Sequence, residues 1–453
     1  MSVTVSSITE PIGPDLDRAQ GAATEVVHPA RSGPSRLSLG FVCPSWPVDQ
    51  TANGIVSYYA ALAPALESLG CRVTILTHDL LGRPDDRVFD IRDASRRRGA
   101  VRRLADSIHY RLSPSAGWER PIRRALIETI RKACATRGIQ ILQIEETFGW
   151  ARAVIAASPI PVCLRLHGPW FLNGAAMGAP VDDAFRRRVA AEVAAIRAAR
   201  FVTAPSLDVL DRVRAYHELP LMNAVVLPST VPDLAEPSVW RLDNCDRNRI
   251  LFVGRFDRMK GGDLMIDAFA RVLRDLPSVR LWFVGPDGGC RLDSGETAEF
   301  PRYLESKIPG ALESGRVVWL GRRPLSEVSR LRSRAMATII CSRYETFSNT
   351  TLEAAAAGCP IIAADIGGIP SIVEHDRSAL LHRPGDAHDL AEKLLSLLQN
   401  PSLAARLGRH ARAGYLARLH PRIIAERTLD FFRGAVALHQ LRQDSPHSGT
   451  GRT

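Results

Sequence analysis

Short apolar runs separated by helical segments recur along most of the chain, and this rhythm points to a fold class before any single residue does. From Arg36, RLSLGFVCPSWP reads as a strand ending in a turn, DQTANGIVSYYAALAPALESLG as a loop feeding a helix, and CRVTILTHD as a second strand. IQILQIEE and PVCLRLHG are further strands, AEVAAIRAARFVTAPSLDVLDRV is helix, strand and a helix capped at Ser206, and MNAVVLPSTVPD closes the series. Such alternation builds βαβ units around a parallel sheet.

The rhythm restarts after a polar, Pro-containing stretch. ILFVGRFDRMKGGDLMIDAF (Ile250–Phe269) is a strand, a Gly-containing loop and an amphipathic helix. Ala337–Cys341 reads as a buried parallel strand, and Leu352–Ala357 as helix-forming sequence closed by Gly358 and Pro360. A helical tail from Ala387 to about Arg442 is interrupted near His420-Pro421. The expected organisation is therefore α/β with two Rossmann-like doubly wound domains: a disordered tail at 1–35, a first domain at 36–232, a linker at 233–248, a second domain at 249–442, and a disordered tail at 443–453.

Composition narrows the class. With 453 residues, 45% hydrophobic and 24% charged, the chain is long enough for two domains with separate cores. Its eight cysteines show no metal-ligand spacing and read as reduced thiols of a cytoplasmic protein. No apolar stretch approaches membrane-span length, and no signal-peptide pattern opens the chain. The formal charge of +11 raises nucleic acid or an anionic surface as a partner. The cations are spread over both halves without interleaved aromatics, which argues against nucleic acid. One denser stretch, DASRRRGAVRRLADSIHYRL (Asp93–Leu112), carries six arginines around an apolar stripe of Val101, Leu104, Ile108 and Leu112. It reads either as a solvated helix packed on a domain or as a basic face meeting an anionic membrane.

The chemistry concentrates in Ser342–Pro360, SRYETFSNTTLEAAAAGCP. Glu345 is placed on a loop at a strand's carboxyl end and Glu353 in the first turns of the next helix. Ser348, Asn349 and Thr350 are all competent N-caps, and a helix N-terminus offers free N–H groups and a positive dipole end to a phosphate. Upstream, Arg255 and Lys260 lie just past a strand end, a pairing suited to a diphosphate. Taken singly, each feature is also compatible with ordinary loop charge and helix capping.

Together with VGPDGG (Val284–Gly289), WLGRRP (Trp319–Pro324) and ADIGGIPSIVEH (Ala364–His375), these segments resemble the donor-binding half of the family-four retaining glycosyltransferases, which have the GT-B fold. The resemblance covers roughly Arg249–Gly385 and implies two doubly wound domains facing each other across a cleft, with the helical tail crossing back to brace the first. It implies that Glu353 takes the ribose hydroxyls of a nucleotide-sugar donor, and that Glu345 with the backbone N–H groups around Phe347, Ser348 and Asn349 holds the hexose. It further implies that Gly321 and Arg322 border the base, and that His167 lines the sugar pocket with its backbone carbonyl facing the anomeric carbon. Gly54 stands on the first domain's phosphate-approach loop, where the family usually has two glycines and this chain has Asn53 for the first. Arg255, Lys260, Glu345 and His167 are thus the expected catalytic set. The expected donor is a nucleotide-diphosphate sugar and the expected acceptor a carbohydrate or lipid-linked molecule, and neither metal nor further cofactor is expected.

Rival classes remain at this point. A nicotinamide dehydrogenase is disfavoured because no G-x-G-x-x-G opens a helix. A nucleotide-sugar epimerase shares the two-domain plan and the diphosphate cations, and a non-enzymatic membrane or nucleic-acid binder shares the basicity.

Overall fold

The computed structural model describes residues 36–47, 53–82, 85–96, 119–233 and 239–444. Residues 1–35 and 445–453 and the arginines from Arg97 to Arg111 lie outside the described residues; of the tail expected from 443, Gln443 and Asp444 end a helix.

In the first half, β1 (Ser38–Trp46), β2 (Arg72–Leu80), β3 (Val88–Asp90), β4 (Ile141–Glu145), β5 (Val162–Arg165), β6 (Phe201–Ala204) and β7 (Val225–Val226) form one sheet in the order β3-β2-β1-β4-β5-β6-β7. Every neighbouring pair is parallel. Successive side chains of β1 point to opposite faces: Leu39, Phe41 and Cys43 pack with Tyr58, Tyr59 and Leu62 on one side, and Val42 with Leu142 and Leu164 on the other. The covering helices are α1 (Gly54–Ser68), α2 (Ile91–Arg96), α3 (Glu119–Arg137), α4 (Ala151–Ala157), α5 (Trp170–Ala176), α6 (Asp183–Ala198) and α7 (Leu207–His217). Asn53, standing where the resembled family usually has its first glycine, is the N-cap of α1, its Oδ1 accepting from the Ile55 N–H at 2.8 Å.

The second half repeats the plan. In chain order it contains β8 (Asp246–Val253), α8 (Gly262–Asp275), β9 (Arg280–Val284), the antiparallel pair β10 (Cys290–Arg291) and β11 (Thr297–Ala298), α9 (Phe300–Lys307), β12 (Val317–Gly321), α10 (Leu325–Arg334), β13 (Ala335–Ile340), α11 (Asn349–Ala357), β14 (Ile361–Ala364), β15 (Leu380–His382) and α12 (Ala387–Leu398). Its sheet runs β12-β9-β8-β13-β14-β15, parallel throughout. Both sheets therefore reverse strand order at one place, between β1 and β4 and between β8 and β13. In open α/β sheets a crevice forms there, outside the carboxyl ends of the strands, and ligands bind in it.

Two chain crossings join the halves. The first leaves β7 through Thr230–Asp233 and re-enters at Trp240, which is buried, with its indole N–H donating to the Ala335 carbonyl at 2.7 Å. The stretch expected as a polar linker thus ends inside the second half's core, and β8 already begins at Asp246. The second crossing follows α13 (Pro401–Arg418) into α14 (Pro421–Asp444), which returns to the first half. There Ile424, Ala425, Leu429 and Phe432 join the core cluster of Phe41, Tyr59 and Leu62. The crossings are tied together: Thr230 Oγ1 donates to the Leu419 carbonyl at 2.7 Å and Tyr415 Oη to the Val231 carbonyl at 2.7 Å. No helix among the described residues is long and apolar enough to cross a membrane.

Candidate functional site

At the strand-order reversal of the second half, the loop after β8 meets the loop after β13. Asp257 shapes the first of these: one carboxylate oxygen accepts the Lys260 N–H at 2.7 Å, and the other binds Arg255 Nε at 2.6 Å. Gly261 then turns the chain into α8 with φ +70°, and a Cβ there would lie 2.0 Å from the Cys341 carbonyl oxygen. Only glycine meets both demands, so the loop lies directly against the end of β13. Arg343 fastens the arrangement with two bonds to Asp263, at 2.8 and 2.6 Å, and one to the Arg258 carbonyl. The outcome is a close contact between Lys260 Nζ and Glu345 Oε1, at 2.7 Å, with Ser342 Oγ donating to the same oxygen at 2.7 Å. Glu345 is buried, Lys260 half-buried and Arg255 exposed.

The acidic loop then enters α11. Of the three possible caps Ser348 takes the role, its Oγ accepting from the Thr351 N–H, so Asn349 and Thr350 fall in the first helical turn. The Asn349 amide reaches the Gly54 carbonyl at 3.3 Å, and Thr350 Oγ1 the Val253 carbonyl at 3.5 Å. Phe347 is buried, which leaves its backbone rather than its ring to face a ligand. From β14, the Gly368 N–H donates to the Glu345 carbonyl at 2.8 Å, and Gly367, with φ +59°, comes so near that a Cβ would meet the same oxygen at 2.1 Å. Glu353, one turn into α11, is paired with Arg332 of α10 at 2.8 Å. Arg332 is fully buried, and its Nε and Nη1 have no partner among the described residues. Gly321 ends β12 and its carbonyl accepts the Gly285 N–H at 2.9 Å, while Arg322 is exposed beside it. They stand two strands from β8, about 10 Å across the sheet.

Facing this site is the carboxyl edge of the first sheet. His167 follows β5; its N–H and that of Gly168 donate to the two oxygens of Glu146, at 2.9 and 2.7 Å. The His167 ring packs edge-on against Tyr58 and Tyr59, and Nε2 is buried with no partner among the described residues. Burial first, and the nearby Arg165 second, push its pKa well below the ordinary value, so the imidazole is neutral. Burial and then Glu192 push Glu146 up to about 7; burial and the other two carboxylates push Glu145 up to about 8. The His167 carbonyl accepts a hydrogen bond from Thr346 Oγ1 at 2.8 Å. Thr346 returns a second contact through its own carbonyl, which accepts from Ser206 Oγ at 3.0 Å, and Tyr344 Oη donates to Asp208 at 2.9 Å.

The fold thus brings Arg255, Lys260, Glu345, Phe347, Ser348, Asn349 and Thr350 together, with Gly54 and His167 opposite, and leaves Gly321 and Arg322 at the margin. Sequence reasoning missed Ser342, Arg332, Thr346 and Glu146. Glu146 had a signal, because it is one of two adjacent acids directly ending an apolar run. The other three had none, since a Ser, an Arg and a Thr in polar context carry no mark of burial.

Comparison with known proteins bears on this geometry. Residues 52–233 match the family described as Glycosyltransferase Family 4, and residues 241–414 match Glycosyl transferases group 1. Among curated relatives, a D-inositol 3-phosphate glycosyltransferase of Nocardioides is 34% identical over 196 residues, covering 42% of each chain. One of Streptomyces avermitilis is 30% identical over 271 residues, covering 57% of each. The matches span about half the length of these relatives. Sucrose-phosphate synthase from Thermosynechococcus elongatus superposes with a TM-score of 0.65 at 20% identity, over 89% of this chain and 100% of that one. Anabaena HepE, in complex with UDP and glucose, superposes with 0.61 at 17% identity, over 88% and 100%. With one family matched on each side of the crossing and the two facing sheets of the fold in place, the chain belongs to the family-four, group 1 glycosyltransferases and has the GT-B architecture.

Proposed function

We propose that this protein transfers a hexosyl residue from a nucleotide-diphosphate sugar to a polysaccharide, glycolipid or small-molecule acceptor, with retention of anomeric configuration. The observation that carries this reading is the Lys260–Glu345 pair at the strand-order reversal, beside the α11 N-terminus and opposite His167.

The donor's diphosphate belongs at the mouth formed by Arg255, Lys260 and the first turn of α11. An ammonium has three donors, and Lys260 commits one to Glu345, leaving two for phosphate oxygens. As the bond from the anomeric carbon to the diphosphate breaks, its electron pair passes to the phosphate oxygen, and these groups stabilise that charge. Because they supply the positive charge, transfer is metal-independent and needs no further cofactor; turnover should persist in EDTA. Glu345 and the N–H groups of 347–349 hold the hexose hydroxyls, Glu353 the ribose, and the Gly321–Arg322 turn borders the base. The His167 carbonyl faces the anomeric carbon once Thr346 yields it, and the acceptor hydroxyl attacks on the face the phosphate leaves, passing its proton to the departing phosphate oxygen. Neither glutamate attacks, so the carboxylate-separation rule of hydrolases does not apply.

The test is incubation with individual UDP-, GDP- and ADP-sugars, recording which raises the melting temperature, because a ligand selective for the folded state stabilises it. The stabilising donor is then supplied with and without acceptors, including phosphorylated polyols, since D-inositol 3-phosphate is named for the curated relatives. Product that forms only with acceptor supports transfer; a changed sugar without acceptor would make the protein an epimerase. The arginine-rich stretch 96–111 belongs to the half assigned to the acceptor, and we assign it a peripheral contact with anionic lipid at the cytoplasmic face.

A further inference from the structure

The opposite edge of the first sheet carries a second concentration of positive charge, on the side where its strands begin. β1 and β2 pair Ser38 with Arg72, and β4 starts beside them after Arg137 and the Gly138 turn. A polar cavity of about 500 Å³ opens there, bordered by Arg36, Arg72, Arg87 and Arg137, with Glu67 and Gln140. Arg87 is already neutralised, holding Glu67 at 3.1 Å and Asp85 at 3.0 Å. Arg36, Arg72 and Arg137 have no carboxylate partner among the described residues. Arg72 spends one N–H on the Arg137 carbonyl, at 3.2 Å, where Ser38 Oγ also donates at 3.0 Å, so that acceptor is doubly occupied. Arg137 Nε is buried with no partner at all among the described residues.

A buried guanidinium N–H without an acceptor is costly, and three uncompensated cations around one cavity repel one another. An anion of charge two or more relieves both. Guanidinium forks match the oxygens of phosphate better than a point-charge partner would, and the cavity has room for a diphosphate or a small phosphorylated molecule. We propose that this cavity, remote from the transfer cleft, is a binding site for a phosphorylated small molecule, held by Arg36, Arg72 and Arg137.

Inorganic pyrophosphate is the probe, titrated calorimetrically into the full-length protein at low salt. Because Arg255 and Lys260 also attract a diphosphate, two variants separate the sites. The double variant Arg72→Gln, Arg137→Gln should lose at least about tenfold in affinity for the cavity event, the scale of losing charge-assisted bonds, whereas Lys260→Ala should leave that event unchanged. Neither arginine side chain has an ion pair among the described residues to lose, and a far-ultraviolet spectrum with a melting curve checks that the double variant is folded; if it is not, Arg36→Gln, at an exposed position, provides the same test. Binding that disappears in Lys260→Ala and survives in the cavity variants would overturn the proposal, as would no binding beyond the cleft. The proposal stands independently of the transferase reading, since the cavity event is read with no sugar present.

Discussion

At the level of single residues, the structure changes what removing a charge should do. Lys260 has the look of a solvated loop cation in the sequence, yet it is bonded to a buried carboxylate. Lys260→Ala should therefore lower turnover ~100-fold or more, the scale for one preorganised charge-stabilising group, and also cost about 1–3 kcal/mol of stability by leaving Glu345 with Ser342 alone. Steady-state kinetics and denaturant melts on the same preparation check both. Glu353→Gln should weaken binding of free UDP or GDP and lower the melting temperature, because buried Arg332 keeps its charge and loses its carboxylate. Glu345→Gln should spare the nucleotide and harm the hexose-dependent step. Equal losses of nucleotide affinity in calorimetry would contradict that division. The positions of the two glutamates, Lys260 and Arg255 on loops and helix starts past strand ends were legible from the apolar runs, while the roles proposed for them come from the family resemblance. Arg332 was not, since its partner Glu353 lies on another element and sequence carries no trace of which elements will touch; Ser342 was not, although its partner is three residues away, because the turn that brings its hydroxyl to Glu345 leaves no mark in periodicity.

At the level of elements, the end of β4 is where pH should act. Glu145 and Glu146 hold their protons in the fold up to about 8 and 7, whereas in the unfolded chain they lose them near the ordinary carboxylate value. Between those limits the folded state binds more protons, so stability falls as pH rises through this window and levels off above about 8. Melting temperatures between pH 6 and 9 should decline on this account, and Glu145→Gln should flatten the decline without touching the two N–H groups that Glu146 holds. A variant as steeply pH-dependent as the parent would remove Glu145 as the cause. Strands and their order of appearance were readable from apolar runs, and Ser206 from its capping chemistry. The bounds of the second half were less so: Trp240 in a polar stretch gave no periodic signal, and its burial depends on the Ala335 and Ala357 carbonyls being brought to it by the fold.

For the molecule as a whole, α14 packs with the first half although it follows the second half in sequence. Stopping translation after Leu419 would strip Ile424, Ala425, Leu429 and Phe432 from the core around Phe41 and Tyr59. Loss of cooperative melting in the truncated protein is the expected result, and Phe432→Ala alone should cost roughly 3–5 kcal/mol. The arginine-rich stretch makes a separate prediction: cosedimentation with anionic but not neutral liposomes at low salt, weakened when Arg97, Arg98, Arg102 and Arg103 become Ser, since each cation near such a surface contributes about 1 kcal/mol. Protein left in the supernatant with anionic liposomes would favour a freely diffusing acceptor.

The two crossings between the halves, pinned to each other by Thr230 and Tyr415, have a mechanical meaning. A single covalent thread would let one half swivel freely against the other, whereas two threads bonded side by side form a ribbon, stiff to torsion and to bending within its own plane. One soft direction is left, perpendicular to the ribbon. The contact that a movement along it would part first is the hydrogen bond from Thr346 to the His167 carbonyl, 2.8 Å long across the gap. Loosening the ribbon, as Thr230→Val with Tyr415→Phe would do, should therefore disturb the alignment of the two halves before it disturbs the stability of either.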